Sequence, residues 1–178
     1  LQECEAAFFE LDWNAAAEDL LNKYAIFRCC QLSNPGTAVL VKKSGRAVSL
    51  VDHPICVGGT DDTGGPSKIA SIVPVRIASQ HVSVVSSHFA WSSDAKKRAR
   101  HVLELGASLT KLSPSVILGC DFNLQRGRAL DALTSSSFLG SLQHLKLQPP
   151  MDKTGLSGDF EKLVCIDHVY VPRSAIVH

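Results

Sequence analysis

The chain has 178 residues, the size of one domain, and its composition of 45% hydrophobic and 20% charged residues excludes an intrinsically disordered protein. Eighteen Lys and Arg residues nearly balance 17 Asp and Glu residues, so the net charge of +1 identifies no partner. A nucleic-acid binder of this size could still concentrate its basic residues on one face. No apolar run approaches the roughly 18 residues that a membrane span requires, so we expect no membrane-spanning segment.

Hydrophobic periodicity predicts helices and strands in alternation along the chain. In chain order the predicted elements are a helix over 5–23, a turn at 34–36, strands over 37–41 and 47–51 joined as a hairpin, a loop over 58–66, strands over 69–77 and 81–87, a helix over 93–112, a strand over 115–119, a helix over 127–133, an irregular stretch over 149–159 and a strand over 163–171. Strand-rich segments with interspersed helices indicate a layered α/β fold. No linker or repeat divides the chain.

The six cysteines lie at positions 4, 29, 30, 56, 120 and 165. None forms a C-x-x-C pair, which excludes the usual zinc-binding and thioredoxin-like sites. A chain of this size can bury a core without disulfides, and most of these cysteines have apolar neighbours. We therefore expect reduced thiols in an intracellular protein of the cytoplasm or nucleus. The sequence indicates no oligomeric state.

Polar side chains that could carry chemistry fall at the ends of predicted buried strands. They are Glu3 at the end of the first segment, His88 after the strand over 81–87, Asp121 and Asn123 after the strand over 115–119, and, within the last strand, Asp167. Ligand sites of open α/β sheets lie at strand ends. Carboxylates and an amide at such ends could form an oxygen-rich site for a hard cation such as Mg²⁺.

Four short blocks containing these residues follow one another along the chain: Leu1-Gln2-Glu3, Ser87-His88-Phe89, Gly119-Cys120-Asp121-Phe122-Asn123 and Ile166-Asp167-His168-Val169-Tyr170. In this order they resemble the endonuclease/exonuclease/phosphatase superfamily of phosphoester hydrolases. Gly36-Thr37-Ala38-Val39-Leu40 is similar to the glycine-led strand after the first helix of that family. The resemblance implies a four-layer α/β sandwich, two packed mixed β-sheets flanked by helices, in one domain over residues 1–178.

The resemblance also implies a role for each residue of the blocks. Glu3 would be a metal ligand, with Mg²⁺ the expected ion and Mn²⁺ an alternative. His88 would hydrogen-bond a phosphoryl oxygen and stabilise the transition state. Asp121 would orient or deprotonate the attacking water, and Asn123 would bind phosphate or, together with Asp121, the metal. Asp167 would accept a hydrogen bond from a histidine and hold its ring.

The sequence departs from the family pattern at several positions. Cys120 stands where the family usually has Gly, so the turn before Asp121 should differ slightly. The Ser-Asp-His block, which supplies the partner of Asp167 in the family, is missing, and so is the first strand with its Asn. We therefore expect that the domain is incomplete at both ends. We also expect residues 1–178 alone to be inactive. His168 alternates to the other face of its strand from Asp167, and we interpret it as structural.

We therefore expect a Mg²⁺-dependent phosphodiesterase or nuclease acting on nucleic acid, RNA or DNA, and similar to deadenylases or tyrosyl-DNA phosphodiesterases. Two alternatives stay open. One is a phosphatase or sphingomyelinase-type phosphoester hydrolase, and the other is a catalytically inactive binding domain of the same fold. The physical requirement is common to all the enzymes, because an anionic phosphodiester repels hydroxide and needs both charge neutralisation and an aimed water.

Overall fold

The computed structural model describes residues 15–31, 34–44, 48–58, 70–89, 95–109, 115–122, 142–145, 155–156, 163–164 and 167–174. Within these ranges the elements are α1 (Ala15–Lys23), β1 (Tyr24–Gln31), β2 (Asn34–Lys42), β3 (Val48–Leu50), β4 (Ile55–Val57), β5 (Ala70–Ile77), β6 (Gln80–His88), α2 (Ala95–Leu109), β7 (Val116–Asp121), β8 (Leu142–Leu145), β9 (Gly155–Leu156), β10 (Leu163–Val164) and β11 (Asp167–Pro172).

Seven strands form the larger sheet, in the order β3-β5-β6-β7-β11-β8, with β4 also paired to β5. Its pairs are antiparallel except for β6 and β7, which run parallel. Parallel neighbours need a crossover connection, and α2 lies in the one that joins β6 to β7. As a result β6 and β7 end at the same end of the sheet, which we call the upper end.

A smaller antiparallel sheet, β1 and β2, packs against one face of the larger sheet. The interface between them is built from β-branched residues that alternate along each strand, as half-buried strands require. Its buried members, the valine cluster, are Val39, Val73, Val75 and Val82. α1 leads directly into β1 and is held to the end of β2, because the Lys43 amide donates to the Lys23 carbonyl at 2.8 Å.

The opposite face of the larger sheet packs against α2. The helix buries a stripe of apolar residues at helical spacing, Val102, Leu105 and Leu109, while Leu103 remains 63% exposed. These residues join Ile72, Val85, Leu118 and others from the sheet in one core cluster. Sheet, sheet and helix therefore form successive layers, and the predicted fold class, an α/β sandwich, is confirmed.

Several predicted elements are confirmed with small shifts at their ends. β5, β6 and β7 correspond to the predicted strands at 69–77, 81–87 and 115–119, and α2 lies within the predicted helix at 93–112. The last predicted strand is divided into β10 and β11. The helix predicted at 5–23 is described only from Ala15 onward, and the predicted helix at 127–133 and most of the predicted loop at 58–66 lie outside the described residues.

Other predictions are wrong. β1 was not predicted, and residues 34–36, predicted as a turn, are the start of β2 instead. The reason is pairing: Asn34 lies opposite Gln31 in the β1–β2 ladder, so the ladder includes the segment. β3 does not form a hairpin with β2, as predicted, but pairs with β5 in the larger sheet. β4 and β8, two further strands of that sheet, were also not predicted.

The expectation of reduced thiols holds for one cysteine of the described residues and fails for another. Cys120 is a buried free thiol, as expected. Cys56 is disulfide-bonded, so the expectation of reduced thiols is wrong at that position. The intracellular location stays a prediction. Neither helix of the described part is long and apolar enough to cross a membrane.

Candidate active site

Three of the predicted site residues lie side by side at the upper end of the larger sheet. His88 is the last residue of β6, and the parallel register places it opposite Asp121, the last residue of β7. Asp167 is the first residue of β11, and the antiparallel register places it opposite Asp121 from the other side. The backbone therefore aligns His88, Asp121 and Asp167 in one row across three neighbouring strands.

The two described side chains of this row are close together. His88 Nε2 lies 3.5 Å from Asp121 Oδ2, and the side chains are 4% and 13% exposed, respectively. Side chains alternate along a strand, so His88 shares a face with Val82 and Val84 and is directed to the side of the smaller sheet. A carboxylate beside an imidazole in this setting can fix the orientation of the ring.

Both strand ends are fixed by aromatic packing on the opposite face. Phe89 follows His88 and Phe122 follows Asp121, and each is fully buried or nearly so. Their rings stack with centroids 4.7 Å apart and planes 8° apart. The Phe89 amide also donates to the Asp121 carbonyl at 2.9 Å, which extends the ladder by one hydrogen bond. The backbone next to each candidate catalytic residue is thus tied to the other strand.

His168 belongs to this aromatic packing and not to the row. It is 1% exposed and contacts the Phe122 ring edge-on, with centroids 5.8 Å apart. The interpretation of His168 as structural agrees with this position. Cys120 lies opposite His168, and its thiol donates to the His168 carbonyl at 3.7 Å. Cys120 is part of regular β7, so the altered turn expected from the Gly-to-Cys departure is absent there.

A pair of buried hydroxyls lies below the row, between the two sheets. Thr37 of β2 and Ser71 of β5 are 1% and 2% exposed, and their side-chain oxygens are 2.8 Å apart. Sequence reasoning missed this pair, because two residues 34 positions apart in different strands have no spacing that signals contact. Thr37 lies within the glycine-led segment that carries part of the resemblance, which was the available signal.

The predicted metal ligands are only partly described. Asp121 lies in the row, and its carboxylate is the type of oxygen donor that Mg²⁺ prefers. Glu3 and Asn123 lie outside the described residues, as does the side chain of Asp167. Among the described residues, no three His, Cys, Asp or Glu side chains are grouped so that they could hold a metal ion.

A small cavity of about 20 Å³ opens beside the row, on the side of α2. His88 itself lines it, with polar Ser87, His101 and Glu104 and apolar residues that include Leu105. A cavity of this size holds about one water molecule and cannot admit a nucleotide.

Comparison with solved structures identifies the fold. Humanised TDP2 of D. rerio superposes with a TM-score of 0.69 and 16% identity, over 99% of this chain and 70% of that chain. The human Nocturnin catalytic domain superposes with a TM-score of 0.69 and 14% identity, over 98% and 68%. An endonuclease/exonuclease/phosphatase from Bacteroides vulgatus gives a TM-score of 0.73 at 12% identity, over 97% and 71%. The chain has the endonuclease/exonuclease/phosphatase fold.

The resemblance seen in the sequence is thereby confirmed at the level of the fold. No protein-family profile matches the sequence, and no curated protein matches it. At identities of 12–16% the endonuclease/exonuclease/phosphatase fold is what is shared, and function has to be argued from the site.

Proposed function

We propose that the protein is a Mg²⁺-dependent phosphodiesterase that hydrolyses phosphoester bonds in nucleic acid. The observation that carries this proposal is the row of His88, Asp121 and Asp167 at the upper end of an endonuclease/exonuclease/phosphatase fold. Nucleic acid is supported as the substrate class by a solved relative in fold, TDP2 of D. rerio complexed with a single-strand DNA product, at 15% identity and a TM-score of 0.70. The proposal covers both RNA and DNA.

The chemistry follows from the charges of the row. Hydrolysis adds negative charge to a phosphate that is already anionic, so a donor aimed at the phosphoryl oxygens lowers the barrier. His88 is that donor, and the Asp121 carboxylate, whose Oδ2 lies 3.5 Å from His88 Nε2, orients its ring. Asp121 also orients the attacking water and accepts its proton. Asp167, opposite Asp121 in the ladder, would accept a hydrogen bond from a histidine of the full-length protein, as the family resemblance implies.

A divalent cation would be held by oxygen ligands that the sequence provides. Glu3, Asp121 and Asn123 would hold Mg²⁺, or Mn²⁺ in its place, because carboxylate and amide oxygens suit hard cations. The bound ion would neutralise charge on the phosphate and template its orientation. The ligand set rests on the family resemblance for Glu3 and Asn123.

The test compares site variants with matched controls in the full-length protein. Asp121→Asn and His88→Gln should each lower kcat on a labelled single-stranded oligonucleotide with Mg²⁺ by about 10²-fold or more. His81→Gln changes an exposed histidine at the other end of β6, and Asp52→Asn changes an exposed aspartate. Both controls should stay within about threefold of wild type. Site variants that retain wild-type turnover while folded would refute the assigned roles.

The same assay separates the alternatives. Several structures with this fold are described as phosphatases, among them ANGEL2, a 2',3'-cyclic phosphatase, and a mannosyl-6-phosphatase from Bacteroides thetaiotaomicron. Faster turnover of a phosphate monoester or a cyclic phosphate than of the oligonucleotide would favour a phosphatase. Oligonucleotide binding without turnover of any of these substrates would favour an inactive binding domain.

A further inference from the structure

The hydroxyl pair between the sheets is a closed hydrogen-bonded arrangement. Ser71 Oγ lies 2.7 Å from the Thr37 carbonyl oxygen, to which it donates, and 2.8 Å from Thr37 Oγ1. A serine hydroxyl has one proton, so the proton shared between the two hydroxyls must come from Thr37. Each hydroxyl therefore donates once, and Ser71 also accepts once. Both donors of this buried pair are satisfied.

The pair occupies a defined level of the interface, between the row and the valine cluster. Ser71 lies opposite Ser86 in the β5–β6 ladder, two residues before His88. Ser86 lies opposite Gly119 in the β6–β7 ladder, two residues before Asp121. On this face of the sheet Ser71 is therefore one side-chain step below the row. Thr37, on β2 of the smaller sheet, hydrogen-bonds to Ser71 across the interface between the two sheets.

Stability alone does not account for hydroxyls at this level. One step further down, Val39 belongs to one hydrophobic cluster with Val73 and Val75, and apolar packing holds the sheets together there. Apolar contacts are not directional, so they leave the sliding of one sheet over the other weakly specified. A hydrogen bond restricts both the distance and the angle between its partners. Catalytic groups need placement to within about 0.5 Å, and a directional contact supplies it.

We propose that Thr37 and Ser71 are positioning residues that fix the smaller sheet over β5 and β6 and so set the space in which His88 meets its substrate. The inference rests on the proposed function. His88 is directed to the side of the smaller sheet, and β2 packs on both β5 and β6. The separation of β2 from β5 at Thr37 therefore limits the room beside the imidazole. Removing the Thr37 hydroxyl leaves one of the two hydrogen bonds, from Ser71 to the Thr37 carbonyl, which lets β2 turn about that bond relative to the row while the valine cluster still holds the sheets together.

The experiment uses Thr37→Val, which keeps the branched shape and removes the hydroxyl, in the full-length protein with a labelled oligonucleotide and Mg²⁺. We expect kcat to fall about 10- to 100-fold with KM changed by less than about threefold, because misplacement by about 1 Å can cost about 10²-fold in rate. Thr37→Ser keeps the hydroxyl and should restore kcat to within about threefold of wild type. Ser71→Ala removes both hydrogen bonds and should lower kcat at least as much as Thr37→Val, and adding Thr37→Val to it should change kcat little further.

The matched control is Ser83→Ala on β6. Ser83 is fully buried, and within the described part of the chain its Oγ has no hydrogen-bond partner. Removing that hydroxyl should leave kcat unchanged within about twofold, since no positioning contact is lost. If Ser83→Ala lowers kcat as much as Thr37→Val, any buried hydroxyl of this sheet has the same effect and the proposal is overturned.

Amide hydrogen exchange supplies a measurement that does not depend on turnover. Thr37→Val should speed exchange of the Phe89 amide, which donates to Asp121 at the upper end, by about tenfold or more. The Ser83 amide, bonded to the Ser115 carbonyl at the other end of β6, should change by less than about threefold. Equal acceleration at both amides means general destabilisation and contradicts a positioning role. Wild-type protein without turnover of any phosphoester refutes the proposed function, whereas an active Thr37→Val variant with wild-type kcat refutes the positioning pair alone.

Discussion

The stacked rings of Phe89 and Phe122 should be a main determinant of stability near the site. Phe122 is fully buried, stacks on Phe89 at 4.7 Å and meets His168 and Tyr170 edge-on at 5.8 and 5.9 Å. Phe122→Ala should therefore cost about 3–5 kcal/mol, toward the upper value because the neighbours belong to ordered strands that cannot fill the space. A domain of this size has about 5–15 kcal/mol of stability, so this change approaches unfolding.

A milder substitution isolates the ring contact. Phe122→Leu keeps an apolar side chain and should lower the free energy of unfolding by about 1–2 kcal/mol through loss of the stack and a small cavity. Urea unfolding of Phe122→Leu, Phe89→Leu and the double variant gives the coupling between the rings. We expect about 0.5–1.5 kcal/mol, the usual contribution of an aromatic pair beyond its buried area.

The control for this cycle combines Phe122→Leu with Val75→Ala. Val75 belongs to the valine cluster on the opposite face of the larger sheet, so the two effects should add within about 0.5 kcal/mol. Additive behaviour of Phe89 and Phe122 to the same precision would refute the stacking argument, because the rings would then contribute only through separate burial. A changed urea m-value would show that the variants no longer unfold between the same two states.

Three further predictions concern other parts of the molecule. Ala78 in the β5–β6 turn has a φ of 53°, a left-handed conformation that costs a residue with a Cβ about 1–2 kcal/mol. Ala78→Gly should therefore raise the free energy of unfolding, measured in urea, by about 0.5–1 kcal/mol. A lower free energy of unfolding would show that Ala78 is not strained. Alkylation of denatured, non-reduced protein followed by mass spectrometry should label Cys120 and leave Cys56 unlabelled, and labelled Cys56 would exclude its disulfide. Mg²⁺ or Mn²⁺ should raise the Tm of the EDTA-treated full-length protein but not of its Asp121→Ala variant, and equal shifts in both would place the ion elsewhere.

The sequence predicts the centre of the larger sheet well because local and tertiary preferences agree there. Val82, Val84 and Val85 favour a strand, and their pairing with β5 needs only a short turn. β1 was missed because it follows α1 directly, with no Gly or Pro to mark the boundary. At residues 34–36 the turn chemistry of Pro and Gly is overridden by the ladder with β1, and only the paired strand shows which preference prevails.

The residues of the candidate site were likewise predictable only in part. His88 and Asp121 could be predicted, because each comes at the end of a predicted buried strand and belongs to a recognisable block. The expectation that Asp167 lies near them depended on the family resemblance, and the antiparallel register explains how a residue at the start of a strand reaches the same end of the sheet. Thr37 and Ser71 could not be predicted, since hydrogen bonding between two sheets leaves no local pattern in either strand.

The parallel pairing of β6 with β7 also determines when the site forms during folding. The β5–β6 hairpin needs only a two-residue turn, so its hydrogen bonds form early. His88 contacts Asp121 only after the chain has passed through α2 and returned to the sheet. The entropy cost of closing this longer loop is incurred before the β6–β7 contacts form and offset it. In refolding experiments, sheet signals should therefore recover before turnover does. A nascent chain released before residue 121 would contain the residues of the β5–β6 hairpin but could not form the His88–Asp121 contact.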